Sequence, residues 1–576
     1  MNAHDGSFFQ PLDLSTVEIT RFQGLKNSDI VSWVEKEESK AIQYLLALRS
    51  IRNTIAPVIH GLPDEVILRI ITFLKETHRL VSTRSHFESK SLFDFQFSSG
   101  WISATQVCRR WRVIGLTTPT LWTNIGWKNP IRTFSYLSRS GNSPLFVVLE
   151  DDIFCGPNPL RFVEVLIPHV SRIAVLDVCL SIDNLRTLAT LFSASLFQNL
   201  TFLGLRVDGD GLDPLCAHIS ITAPVTHVIQ DLKLQDVCIP WDSHIYKGLK
   251  TLSLKYNDTE DCVPSMETFL DVLEANPELT TLIIHNAGPR GKTTTSPQSS
   301  TVRQVKLDHL TKFELSLGNR AIKQLLGHLS MPFTTYVSLG YSLHDIYRAN
   351  AAHGGGDYTA DLPSDQNWLE CLSSINHITV TLKDEDEDTV YYGVIGKIEA
   401  RKCFDIHFEG SNRLDVAGLD FQSSIGSVFQ SSPITSLKLS IQKITSPDED
   451  WSSLFQYFRT VTHLELSFPS LRVGGQRFYT FWRTFGFPDS SRDFIFPHVT
   501  SLKFYGSGMD EELGQEIRLC LLERLQNGLP NLRTLELHGI IWDGLDEVPW
   551  PRVEDLVDEY SHSLLDWSVG YRTHDD

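Results

Sequence analysis

The sequence predicts an α+β protein in which a helical N-terminal domain is followed by an irregular α/β solenoid of short parallel strands. Three observations lead there. Apolar residues recur at helical spacing as far as about residue 122. Beyond it, the pattern apolar-x-x-apolar-x-apolar returns with starts at 249, 279 and 310, and again at 499 and 532. Between those copies lie stretches with recognisable helix starts and stops. At 576 residues the chain also exceeds what one compact core accommodates, so several domains or a repeat array are expected.

Residues 1–27 show no periodicity and are assigned to a flexible N-terminus. Residues 28–56 turn helical. Ile30, Val34, Ala41, Leu45, Leu48 and Ile51 share a face, Glu35, Lys36, Glu37, Glu38 and Lys40 lie off it, and Ser28 or Asp29 stands at the capping position. The stripe is too short for sustained heptads, so the helix is expected to lie on the next domain rather than form a coiled coil. That domain spans 57–125. Pro63 suits the first turn of a helix, where its missing N–H costs nothing, and Asp64 and Glu65 oppose the positive end of the helix dipole. Val66, Ile67, Ile70, Ile71 and Leu74 follow at helical spacing. A second helix is expected over 101–115 with Ile102, Val107, Trp111 and Ile114, ended by Pro119 before Leu121 and Trp122. A polar insertion, residues 78–99, separates the two halves.

Leu62-Pro63-x-Glu65-Val66-Ile67-x-x-Ile70, then Val107-Cys108-x-x-Trp111 and Leu121-Trp122, resembles an F-box. It is similar in particular to the fungal F-box-like domains that precede degenerate leucine-rich repeats. The resemblance covers roughly a tenth of the chain and implies a role as well as a local fold. Such a domain docks on a Skp-type adaptor, and through it on a cullin-RING ligase, while the rest of the chain holds a substrate. Carried onto this sequence, Leu62, Pro63, Val66, Ile70, Val107, Cys108 and Trp111 would contact the adaptor or hold the helices that do.

Residues 140–542 form the expected solenoid. Its strand pattern stands at Val170–Val175, Leu200–Leu205, Leu249–Leu254, Leu279–Ile284 and Leu310–Leu315, then at Ile375–Val380, Ile434–Leu439, Val461–Leu466, Val499–Phe504 and Leu532–Leu537. This is the strand of a leucine-rich repeat, each copy stacking in parallel beside the last. Helices are expected at Ser181–Phe197, Pro264–Asn276 and Glu511–Asn527, the last stopped by Gly528 and Pro530. The polar ladder position past each strand is poorly kept: Asn257 fits it, but Asp208, Ala287 and Gly318 do not. Loops are read at 286–304, 350–364 and 383–388, and residues 543–576 form an acidic C-terminal tail that caps the open end or stays loose.

Composition argues against several classes of partner. A net charge of −19 and a pI near 5.5 disfavour nucleic acid and anionic membrane. No apolar run approaches the roughly 20 residues of a membrane span, and Met1–Gln10 lacks a signal-peptide pattern, so a cytoplasmic or nuclear protein is expected. The nine cysteines are scattered without a Cys-x-x-Cys pair, which reads as buried thiols in a reducing compartment. Asn286-Ala-Gly-Pro-Arg-Gly291-Lys292-Thr293 imitates a phosphate-binding loop, but it lacks the first glycine and runs into Pro297 instead of a helix. His227, His377 and His463 each stand beside a strand pattern rather than in a cluster. Neither a metal, a cofactor nor a catalytic constellation is expected, and the chain reads as a binding protein rather than an enzyme.

The expected function is therefore substrate recognition in an SCF-type ubiquitin ligase. Residues between the strand leucines, Lys233, Ser253, Glu314, Thr379, Lys438, Glu465, Lys503 and Glu536, would line the face that holds a protein substrate. The rival is a leucine-rich-repeat interaction scaffold whose N-terminal helices merely cap the solenoid, since a terminal repeat needs its apolar flank covered. Exposure separates the two. An adaptor site leaves part of its aliphatic stripe and its tryptophan edge accessible, whereas a cap buries both.

Overall fold

The computed structural model describes residues 26–55, 61–80, 100–127, 129–150, 159–193, 197–208, 216–219, 229–256, 262–289, 303–317, 319–342, 370–384, 390–410, 426–442 (without 427), 455–468, 481–487 (without 484), 494–507, 511–541 and 552–566. The remainder of the 78–99 insertion after α2, the 350–364 loop, Asn257 and the glycine-rich part of the phosphate-loop look-alike lie outside the described residues. No described helix is long and apolar enough to cross a membrane. The chain divides into two compact units, Met1–Pro157 with Arg172–Asp177, and Asn158–Ser171 with Val178–Asp576.

The first unit opens with α1 (Asn27–Ile55), which carries Asp29 inside its first turn rather than at the cap. Its stripe does not behave as expected. Val34, Leu45, Leu48 and Ile51 all face solvent instead of lying on the following helices. Next come α2 (Asp64–Leu80), a 3-10 turn over Gly100–Gln106, α3 (Arg109–Thr117) and a second 3-10 turn over Pro119–Trp122. Pro63 does serve as the foot of α2, its carbonyl accepting from the amides of Val66 (3.1 Å) and Ile67 (3.2 Å). Strand β1 (Asn124–Gly126), α4 (Pro130–Arg139) and β2 (Leu145–Glu150) follow, and β1 and β2 pair in parallel. Strand-first structure thus begins inside the first unit, before residue 140. The next strand, β3 (Ile173–Leu180), pairs with β2.

The second unit is a large, mostly parallel sheet with helices. Its strands are β4 (Phe202–Val207), β5 (Asp231–Gln235), β6 (Thr251–Lys255), β7 (Thr281–His285), β8 (Lys312–Ser316) and β9 (Tyr336–Ser342). They continue with β10 (His377–Asp384), β11 (Val390–Ile398), β12 (Arg401–Gly410), β13 (Ser436–Gln442), β14 (His463–Phe468), β15 (Ser501–Ser507), β16 (Leu532–Ile541) and β17 (Val557–Asp566). Neighbours are consecutive and parallel from β4 to β9 and from β13 to β17. Between those runs the order reverses. β9 pairs with β12, β12 antiparallel with β11, β11 antiparallel with β10, and β10 in parallel with β13. Helices bounded within the described residues include α5 (Pro159–Leu166), α6 (Ile182–Ser193), α7 (Met266–Glu274), α8 (Asn319–Gly327) and α9 (Glu511–Gln526). Residues 557–566, within the acidic tail, extend the sheet as β17, paired from Val557 opposite Leu532.

The apolar-x-x-apolar-x-apolar pattern explains how the strands stack. Its first residue, such as Leu249, Leu279 or Leu310, is buried in the turn before the strand, and the next two are buried within it. Registry keeps like with like, for Leu252 is opposite Leu282 and Leu254 opposite Ile284. Each fully buried leucine contributes roughly 1.5–3 kcal/mol from apolar surface removed from water. The residue after the first apolar position adds a polar stitch. The Thr280 hydroxyl donates to the Lys250 carbonyl (3.0 Å), Thr311 to Thr280 (3.0 Å) and Thr462 to Thr435 (3.1 Å). Threonine suits the place because one short branched side chain satisfies the neighbouring strand's carbonyl where its ladder begins.

One buried polar residue ties a helix to this sheet. Asn276, just past α7 and 1% exposed, accepts from the Leu249 amide (2.6 Å) and donates to the carbonyls of Tyr246 (2.7 Å) and Val272 (2.6 Å).

Candidate protein-interaction sites

The five apolar residues at the start of α2 divide into two stripes. Ile67 and Ile71 are wholly buried and Leu74 half-buried, and they form the inward face. Val66 is 40% exposed, Ile70 half-buried and Phe73 65% exposed, at i, i+4 and i+7, so a second apolar stripe faces out. Val107, Val113 and Leu116, before and on α3, are exposed as well.

Polar contacts set how α2 begins. The Arg110 Nε donates to Asp64 Oδ1 (2.8 Å), and its Nη2 donates both to Asp64 Oδ1 (2.5 Å) and to the Leu62 carbonyl (2.7 Å). One guanidinium on α3 thereby holds the Leu62-Pro63-Asp64 corner. Lys75 secures the other side by donating to the Thr120 carbonyl and the Thr123 hydroxyl, both at 2.9 Å. Neither Arg110 nor Lys75 stands out by sequence pattern, since lone basic residues on helices usually read as solvated.

The aromatic residues are mostly internal. Trp111 is only 6% exposed and its Nε1 is buried without a hydrogen-bond partner. Trp122 donates from Nε1 to the Gly115 carbonyl (2.8 Å) and meets Trp101 edge-on at 5.1 Å between centroids. Gly115 is required there, because a Cβ would stand 2.6 Å from Thr105 Cγ2. Among the residues named from the sequence, Pro63, Val66 and Val107 are exposed, Leu62, Ile70 and Cys108 are half-buried, and Trp111 is core. The tryptophan therefore holds the helices rather than presenting an edge.

In the second unit the residues expected to line a binding face fall in one row across the sheet. Lys233 is opposite Ser253, and, beyond Ile283, come Glu314, Ser338 and Asp405. Past the antiparallel strand, Thr379 is opposite Lys438, then Glu465, Lys503 and Glu536 follow in register. Much of the row's charge is neutralised by ion pairs within it or with the adjacent row. Lys438 pairs with Glu465 (2.8 Å), Lys503 with Glu536 (3.0 Å) and Lys312 with Glu314 (2.9 Å), and the Glu536 hydrogen bond raises the Lys503 pKa. Ser253, between Lys233 and Ile283 in the row, departs from expectation, being 1% exposed.

Sequence reading missed a second row, two residues further along each strand, with His285, Gly340, His407, Tyr505 and His538 among its members. Tyr505 stacks on His538 at 4.4 Å, and a Cβ on Gly340 would stand 2.8 Å from His407 Nε2, so glycine makes room for that ring. Burial holds the His285 pKa below its ordinary value and raises that of Tyr505. The strand pattern stops one apolar residue short of this row, although position-by-position alternation would have located it.

No curated protein matches the chain. Residues 59–126, which hold the two-striped helix, the Arg110 clamp and the tryptophan-bearing α3, match the model of the F-box-like family.

Proposed function

We propose that the chain is the substrate-recognition subunit of an SCF-type ubiquitin ligase. The outward stripe of α2, Val66, Ile70 and Phe73, carries this reading, because it is an apolar helix face within the stretch that matches the F-box-like family. Partly exposed aliphatic and aromatic residues on a rigid helix are what an adaptor groove would bury. Val107, at the entry to α3, and the Leu62-Pro63 corner extend the surface, while Trp111 and Cys108 support it from behind. The second unit, a degenerate leucine-rich array on this reading, holds a protein substrate through its polar rows. The chain supplies proximity, other subunits perform ubiquitin transfer, and the complex works in the cytoplasm or nucleus.

The test is co-purification of the full chain with a Skp-type adaptor and a cullin. Val66→Ser combined with Phe73→Ser should lower adaptor affinity by about thirtyfold or more, the loss of roughly 2 kcal/mol that a hot-spot pair carries. Thermal unfolding should be unchanged. Wild-type protein that never retains the adaptor, or a double variant that binds as well, would leave the scaffold reading in its place.

A further inference from the structure

Cysteines dispersed in sequence converge in the second unit. Cys238 and Cys262 form a disulfide with Cα atoms 5.6 Å apart, so these two do not keep the separate thiols that the sequence suggests. Cys216 Sγ lies 3.1 Å from Cys262 Sγ, and all three sulfurs fall within 4.8 Å of one another. Each comes from a different segment, and each segment is anchored. Ala217–His218 pairs in parallel with Val237–Cys238, which fixes Cys216 beside Cys238. The Cys262 carbonyl accepts from Trp241 Nε1 (3.0 Å), and Trp241 stacks on the buried Tyr246 at 5.0 Å.

A second observation points to a ligand. Tyr256 is wholly buried, its hydroxyl has no hydrogen-bond partner, and its segment is tied to those of the cluster, for the Asp236 amide donates to the Lys255 carbonyl (2.8 Å) and the Ala217 amide to the Asp236 carbonyl (2.9 Å). Asp236, itself 7% exposed, adds an acidic group to the same neighbourhood. A cation would gain from all of these at once. Cys371 and Cys520 lie outside this cluster, and burial pushes each up to about 12, leaving them neutral and inert.

We propose that Cys216, Cys238 and Cys262, once reduced, form a three-thiolate site for a thiophilic d10 cation, Zn2+ or Cu+. Soft thiolates select these ions, and sulfurs bound at about 2.3 Å from zinc stand roughly 3.8 Å apart, a spacing this cluster reaches with small side-chain shifts. A dithiol reductant opens the Cys238–Cys262 bond by supplying two electrons and two protons and leaves as its own disulfide. Binding of the cation then displaces the thiol protons to solvent. Half-buried Cys216 gives the ion its way in, and the Tyr256 hydroxyl donates to a thiolate or fills a fourth position.

The experiment uses the full chain reduced with a phosphine and freed of metal. Co2+ serves as the spectroscopic probe, Zn2+ is titrated against a chromophoric chelator, and Cu+ against a Cu+-specific one, so that the two arms show which cation is held. One equivalent should bind, with a sulfur-to-cobalt charge-transfer band. Cys216→Ser should weaken binding by more than the roughly 10- to 100-fold that loss of a supporting outer-shell partner costs, whereas Cys179→Ser should not. Bound Zn2+ should also protect Cys216, Cys238 and Cys262 of the unaltered chain from alkylation, mapped by mass spectrometry, a readout that needs no variant to fold. A chain without the charge-transfer band, equal affinity in Cys216→Ser, or unchanged alkylation of the cluster overturns the assignment.

Discussion

Replacing Asn276 tests the polar tie between α7 and the sheet. Asn276→Ala removes the acceptor of the buried Leu249 amide and the donor to the Tyr246 carbonyl, at 2.6 and 2.7 Å. The Val272 carbonyl also loses its side-chain donor (2.6 Å), and as one of the last carbonyls of α7 it has no backbone amide to replace it, since the Asn276 amide donates to Leu273. Three orphaned buried groups at about 1–3 kcal/mol each, with part of the cost relieved by relaxation, give an expected loss of roughly 3–4 kcal/mol. Asn276→Asp sharpens the test, since it keeps the acceptor for Leu249 but turns a second oxygen toward two carbonyls. Its carboxyl pKa in the folded state should rise above the unfolded value of about 3.9. The variant's stability is therefore highest below that value and is lost as pH rises toward the folded pKa. Because two units make global unfolding a poor two-state system, hydrogen exchange of peptides covering 246–256 is the assay. Asn276→Ala should raise exchange there first. A loss under about 1 kcal/mol, or an Asn276→Asp variant indifferent to pH, would refute the idea that these three bonds are buried and irreplaceable.

Further outcomes follow from exposure and electrostatics. Ile71→Ala should cost about 2–5 kcal/mol in chemical unfolding, while Phe73→Ala, two residues on but facing out, should stay within about 0.5 kcal/mol. Arg110→Ala should destabilise by no more than about 1 kcal/mol, because the pair with Asp64 is partly exposed, yet it should weaken adaptor capture by loosening the Leu62-Pro63 corner; adding Asp64→Ala should cost little more. Burial lowers the His285 pKa, so the folded state resists its protonation. Stability should be full above the unfolded histidine value of about 6.5 and fall as pH drops below it, a slope that His285→Gln should flatten in urea titrations at pH 7 and 5.

The strands were the most legible part of the sequence. Every stretch read as apolar-x-x-apolar-x-apolar, from Val170–Val175 to Leu532–Leu537, contains strand residues, and in most copies that spacing buries one residue before the strand and two along it. Some strands without the pattern were missed. β11 and β12 belong to an antiparallel meander with Tyr392, Val394, Phe404, Ile406 and Phe408 alternating inward, a period-two signal that a six-residue template ignores. In the first unit α1 and α2 were foreseen, but α4 was not, the helix expected over 101–115 is divided into a 3-10 turn and α3, and the division of the α2 stripe was not read. Two adjacent apolar rows look alike in sequence, and only the packing partner decides which is buried. The Arg110 clamp and the Cys216–Cys238–Cys262 cluster depend on contacts between distant segments, which no local pattern encodes.

The reversed order of β10, β11 and β12 has a kinetic consequence. Along the parallel runs each strand waits only for the next stretch of chain, as when Leu252 meets Leu282. At the reversal, Val337 must find Phe404, and the chain lays down β10 and β11 before the strand that will touch β9. Loop-closure entropy grows slowly, about 0.6 kcal/mol per doubling of length, so the detour hardly affects stability. It does affect timing, since non-local pairings form late. The β4–β9 run and the β13–β17 run become separate folding blocks, each able to nucleate alone, with the meander closing between them as a late seam. During synthesis the first block can complete itself while the second is still being made. The unpaired edge of β9, which carries Val337 and Leu339, is then the surface in greatest need of protection until residues 401–410 emerge.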